Sequence, residues 1–129
     1  MFLSHLPHKR TTMLASKRST PFHSAEAAWF WTVAAIRAAT DPGAPRPGPA
    51  RCRPEEVLRC LDGLYRQRRI ELLHARILRI WGVRGIAPNP ARPRERSDWR
   101  LWHEALERLE APLRARGIVA GSALPEAAD

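Results

Sequence analysis

Residues 25–39 read AEAAWFWTVAAIRAA, a helix-length run with an interior that is apolar on nearly every side. Ser24 supplies an N-cap oxygen, Glu26 suits the positive helix start, and Asp41-Pro42 opposes continuation. On a helical wheel Ala27, Ala28, Trp31, Ala34, Ala35 and Ala38 form one small-residue face, while Trp29, Thr32 and Ile36 form another. A helix with no polar side has to be enclosed, either as the central element of a domain or with one face against another chain. Trp29 and Trp31, two residues apart, point in nearly opposite directions and cannot both face one core. One of them is the candidate anchor for a protein partner, since tryptophan is enriched at interface hot spots.

The remaining periodic segments supply that enclosure. Residues 40–53 form a linker stiffened by Pro42, Pro45, Pro47 and Pro49. Pro54 suits a first helical position and Glu55-Glu56 its dipole, which opens a helix over 54–67 with a stripe of Val57, Leu58, Leu61, Leu64 and Tyr65. The stripe breaks at Arg68-Arg69 and restarts at Ile70, running through Leu73, Ile77, Ile80 and Trp81 to a stop at Gly82. Two helices, 54–67 and 71–81, joined by a tight turn fit this pattern; a single bent helix is the alternative, because the turn has no Gly or Pro. A second Pro-containing linker covers 82–96, and Ser97-Asp98 caps a last helix over 98–111. Its stripe is Trp99, Trp102, Leu106, Leu109 and Leu113, with Glu104–Arg108 and Glu110–Arg114 as solvent-side pairs and Pro112 as a kink or end.

The expected fold is all-α: a small bundle of four helices in one domain, 24–119, with a helix-turn-helix-like hairpin at 54–81. A disordered basic leader (1–23) precedes it and a disordered tail (120–129) follows. The leader holds Lys9, Arg10, Lys17 and Arg18 and no acid. That pattern also occurs in transit peptides, but no amphipathic period is visible, and Met13 offers an alternative start.

Net charge is +9 over 129 residues, and its distribution matters more than its size. The leader contributes +4, the first linker with its flanks +2, and the second linker, with Arg84, Arg92, Arg94, Glu95 and Arg96, +3. The first and last helices are neutral. Lys9 and Lys17 are the only lysines, the bias of a GC-rich genome, so part of the arginine excess is codon usage. Basic arms can still neutralise phosphates without reading sequence. Arg66, Arg68, Arg69, Arg76 and Arg79 on the hairpin, with Arg92, Arg94 and Arg96 on the second linker, are the candidate nucleic-acid contacts.

Chemistry of other kinds finds little footing. No phosphate-cradling Gly loop, HExxH or nucleophile signature is present, so no catalytic residue, metal ligand or cofactor is assigned. Glu71-x-x-His74 has the spacing of half a di-metal site, but no second copy exists, and His74 reads as a core or interface histidine. Cys52 and Cys60 make no CxxC and read as free thiols in a reducing cytoplasm. No apolar run approaches a membrane span.

The segments Ala25-Glu26-Ala27-Ala28-Trp29-Phe30-Trp31, Val57 to Gly82, and Asp98-Trp99-Arg100-Leu101-Trp102 resemble small uncharacterised helical proteins of GC-rich alphaproteobacteria. The resemblance spans most of 24–119 and implies a bacterial cytoplasmic setting. It brings no activity or site residue with it. The sequence reading is therefore a non-enzymatic regulatory or accessory protein that contacts nucleic acid, or an adaptor that binds protein through Trp29 or Trp31.

Overall fold

The computed structural model describes residues 20–121, and among them the chain forms four α-helices: α1 (Ala25–Thr40), α2 (Pro54–Arg66), α3 (Leu72–Arg84) and α4 (Arg96–Ala115). A single 3-10 turn, Pro93–Glu95, leads into α4. Most of the basic leader and of the C-terminal tail lies outside the described residues. The described margins belong to the fold. Phe22 bridges Val119 in parallel, through Phe22 N–H to Ile118 O (2.9 Å) and Ala120 N–H to Phe22 O (2.8 Å). Ile118 and Val119 are buried by that contact.

Helix α1 is the central element, and its own chain covers most of it, leaving Ile36 near its end exposed. It packs against α2, α3 and α4, burying Ala25, Ala28, Trp29, Thr32 and Val33. Thr32 satisfies its hydroxyl by donating to Ala28 O at 2.8 Å, so its burial leaves nothing unpaired. Ser24 caps α1 by accepting from Ala27 N–H, as the sequence predicts. The first linker covers another side: Trp31 Nε1–H donates to Gly48 O at 2.8 Å, and Phe22 lies 5.6 Å from the Trp31 ring.

The turn between α2 and α3 is built without glycine. Arg69 N–H reaches Leu64 O (2.9 Å) and Arg68 N–H reaches Tyr65 O (3.0 Å), while Arg68 takes the left-handed conformation at φ 60°. This is the C-terminal arrangement that normally recruits glycine, and arginine adopts it at a cost of about 1 kcal/mol. Ile70, buried, pins the turn to the core. The expected hairpin is present in connectivity, but α2 and α3 splay. Each packs on α1 and α4, with no comparable packing between the two.

Three sequence-based boundaries move. Gly82 does not stop α3, which runs on to Arg84 and ends at Gly85 with φ 73°. Gly82 is instead buried against α1: a Cβ there would sit 2.8 Å from Trp29 Nε1 and 2.9 Å from Val33 Cγ2. Ser97 and Asp98 do not cap α4, which starts at Arg96; Asp98 is spent on Trp81, accepting its Nε1–H at 3.0 Å. Pro112 does not end the last described helix, which continues to Ala115 with fully buried Leu113 in its final turn.

Glycines 82 and 63 should respond oppositely to alanine. Gly82→Ala forces Trp29 and Val33 apart and should destabilise the fold by about 1–3 kcal/mol. Gly63→Ala, inside α2 with nothing within 4 Å of a new Cβ, should stabilise it by about 0.5–1 kcal/mol. Urea denaturation of the two variants reads both signs; a neutral Gly82→Ala would contradict the close approach.

Candidate binding surface on the second and third helices

Helix α3, LLHARILRIWGVR, has two different apolar sides. One side is core: His74, Ile77, Leu78, Trp81 and Gly82 are buried. The stripe expected from sequence put Leu73 and Ile80 there too, but they are 49% and 40% exposed. They belong to the opposite side, with Leu72 at 69% and Val83 at 46% exposed. Along that outer side Leu73, Arg76, Ile80 and Val83 follow steps of three and four, the spacing of a single helical ridge.

The remaining exposed large hydrophobics extend this surface. Leu58 and Tyr65, both expected in the α2 stripe, face outward; Cys60 takes the core position with Val57 and Leu64. Where α2 and α3 diverge from the turn, Leu58, Leu61, Tyr65, Ile70, Leu72 and Ala75 line a shallow notch of about 270 Å³, with Asp62, paired to Arg66, at its wall. Ile36 at the end of α1 and Ile86 after α3 are exposed as well. No exposed large hydrophobic lies on α4.

The candidate arginines are all exposed and divide into groups. Arg66 at the end of α2 and Arg68 and Arg69 in the turn precede α3, and Arg92, Arg94 and Arg96 lie beyond its other end, about 20 Å away along the helix. Arg76 and Arg79 stand on the outer ridge between them. Arg66 pairs with Asp62 (3.0 Å) and Arg92 with Glu95 (3.4 Å); among the described residues Arg68, Arg69, Arg76 and Arg79 form no salt bridge. The second linker is a tied loop rather than an arm. Asn89 N–H donates to Glu95 (2.7 Å), and Arg96 Nε–H to Pro90 O (3.4 Å).

The tryptophans are used internally. Trp29 is 4% exposed and donates to Leu78 O at 2.8 Å, so it faces the core. Trp31 is half-buried under the first linker. Trp99, expected in the core, is only half-buried and stacks on His103 at 5.0 Å, beside a cleft with Glu26 and Glu107.

His74 acts as a cap. Its Nδ1 accepts Glu71 N–H at 2.9 Å, which assigns the ring proton to Nε2, and Nε2–H then donates to Glu104 at 3.0 Å. The Glu-x-x-His spacing thus closes a reciprocal box at the start of α3, with the Glu71 side chain returning to the backbone at His74. Glu104 serves α3 instead of Arg108, while the expected Glu110–Arg114 pair forms at 3.2 Å. Among the described residues no three His, Cys, Asp or Glu side chains gather as a metal site would require, and no helix is long and apolar enough to cross a membrane. Burial pushes the Cys52 thiol up to about 11 and raises Cys60 also, which keeps both protonated and poorly nucleophilic at neutral pH. No protein family, curated protein or solved structure matches the chain.

The His74 contact makes one pH dependence explicit. The hydrogen bond from His74, then the positive charges of Arg108 and Arg100, hold the Glu104 carboxyl below its ordinary value of 4.5. A carboxyl lowered in the folded state adds stability above that ordinary value and loses it as pH falls through its folded value. Glu104→Gln should therefore flatten the acid limb of a stability–pH profile. Parallel urea-denaturation curves for wild type and variant would rule this out.

Proposed function

We propose that the protein is a non-enzymatic adaptor that binds a protein partner in the cytoplasm through the outer side of α3 and the notch beside it. One observation carries this reading: large aliphatics are gathered on one helix side, Leu72, Leu73, Ile80 and Val83, and interleaved with Arg76 and Arg79. Contiguous apolar exposure of this kind marks interaction sites, and arginine is enriched at interfaces from which other charges are depleted. Two free thiols, Cys52 and Cys60, fit a reducing compartment.

Nucleic-acid contact is the second reading, favoured by Arg68. An arginine held in a left-handed backbone position, between Arg66 and Arg69, keeps a charge where glycine would be unstrained. Phosphates would meet that turn and Arg92, Arg94 and Arg96. A recognition helix, however, projects polar groups toward base edges, and the outer side of α3 projects four aliphatics.

The two readings separate on two variants. Under the adaptor reading Ile80→Asp weakens partner capture by about tenfold or more, and capture survives raised salt. Under the nucleic-acid reading, duplex binding falls steeply with salt and weakens when Arg66, Arg68 and Arg69 become Ala, while Ile80→Asp matters little. Tight polyanion binding unaffected by Ile80→Asp, with no protein captured, would reverse the preference.

A further inference from the structure

We infer that the partner presents an amphipathic helix with an acidic flank, which lies along α3 with its apolar seam on Leu73, Ile80 and Val83. This rests on the adaptor reading and adds the chemistry of the partner. The shape argument comes first. The exposed ridge steps by three and four, and beside its N-terminal end Leu72 and Ala75 border the notch shared with α2. A helix fills such a surface by placing its own i, i+3, i+7 side chains against it. A flat lipid surface leaves the notch unfilled.

Charge selects the flank. Helix α3 carries Arg76, Arg79 and Arg84 and no acidic residue. Arg76 and Arg79 have no salt bridge among the described residues, so water solvates both in the free protein. Covering the ridge removes that water, and an unpaired guanidinium left beneath a partner is costly. The partner must bring carboxylates, and guanidinium accepts them with two parallel N–H···O bonds. Arg68 and Arg69 extend the same demand to the turn. A second copy fits poorly, because a two-fold contact through this ridge sets Arg76 and Arg79 against their own equivalents.

A pair of synthetic helices tests the idea. Both are about 18 residues, or five turns, with one leucine seam; one carries Glu on the flanks and its twin carries Lys. Anisotropy of the labelled peptides against the full chain should give at least about tenfold tighter binding of the Glu peptide at low salt. Ile80→Asp should abolish binding of both. Arg76→Ala with Arg79→Ala should erase the preference at unchanged Tm. Equal binding of the twins that still needs Ile80 overturns the acidic flank and leaves the adaptor reading intact. If neither peptide binds, sedimentation decides: Ile80-dependent self-association assigns the surface to a second copy, and its absence removes the adaptor reading with the inference. Ile80-dependent binding to phosphatidylglycerol vesicles or duplex DNA, without peptide binding, overturns both.

Discussion

A buried indole has to find an acceptor for its N–H, and three such demands close the helical body into a ring. Trp29 of α1 donates to Leu78 O of α3, Trp81 of α3 donates to Asp98 of α4, and Trp102 of α4 donates to Glu26 of α1. Each bond is 2.8 to 3.0 Å, and each rings' body fills core volume while its N–H fixes a neighbouring helix. A chain of this size has a thin core, so a few large side chains with directional ties do what more numerous aliphatics do in larger domains. Gly82 is part of the same device. Only a residue without Cβ lets the Trp29 indole reach the α3 carbonyl beside it.

The ring also fixes how α3 is rotated about its axis. With Leu78 O turned to α1, and Trp81 and His74 turned to α4, the opposite side has to face solvent. Leu72, Leu73, Ile80 and Val83 are therefore exposed by geometry: no rotation buries them without breaking an indole or imidazole hydrogen bond. Helix α2 stands outside the ring, holding on through Val57, Cys60 and Leu64 and through Ile70 in the turn. It has no tryptophan tie to α3, and the two diverge to leave the notch. Surface and scaffold thus have one origin.

This explains what could be read from sequence and what could not. The number of helices, their order, the Ser24 cap and the centrality of 25–39 follow from local rules, because cap chemistry and an all-apolar wheel are properties of short segments. Gly82 was unreadable as an interior residue: a glycine after an apolar stripe looks like a helix stop until Trp29 is known to lie against it. Asp98 resembles a cap for the same reason, since its true partner, Trp81, is far away in sequence. The candidate surface was hidden more deeply. Leu73 and Ile80 share a three-to-four period with one another as Ile77 and Trp81 do, and periodicity marks a face without saying which face is inside. Only the long-range ties choose.

The charge pattern gains meaning from the same geometry. Total charge says little, because much of it sits in the leader and linkers, and the second linker ties Arg92 to Glu95 and Arg96 to Pro90 O. What distinguishes α3 is that its arginines lie among aliphatics on a side that the ring forces outward. An arginine on an ordinary solvated face needs no partner, since water serves it. Set in an apolar ridge it makes any covering surface conditional: apolar contact is favourable only if carboxylates arrive with it. The ridge therefore supplies attraction through its aliphatics and selection through Arg76 and Arg79, and these roles fall on different side chains of a single helix.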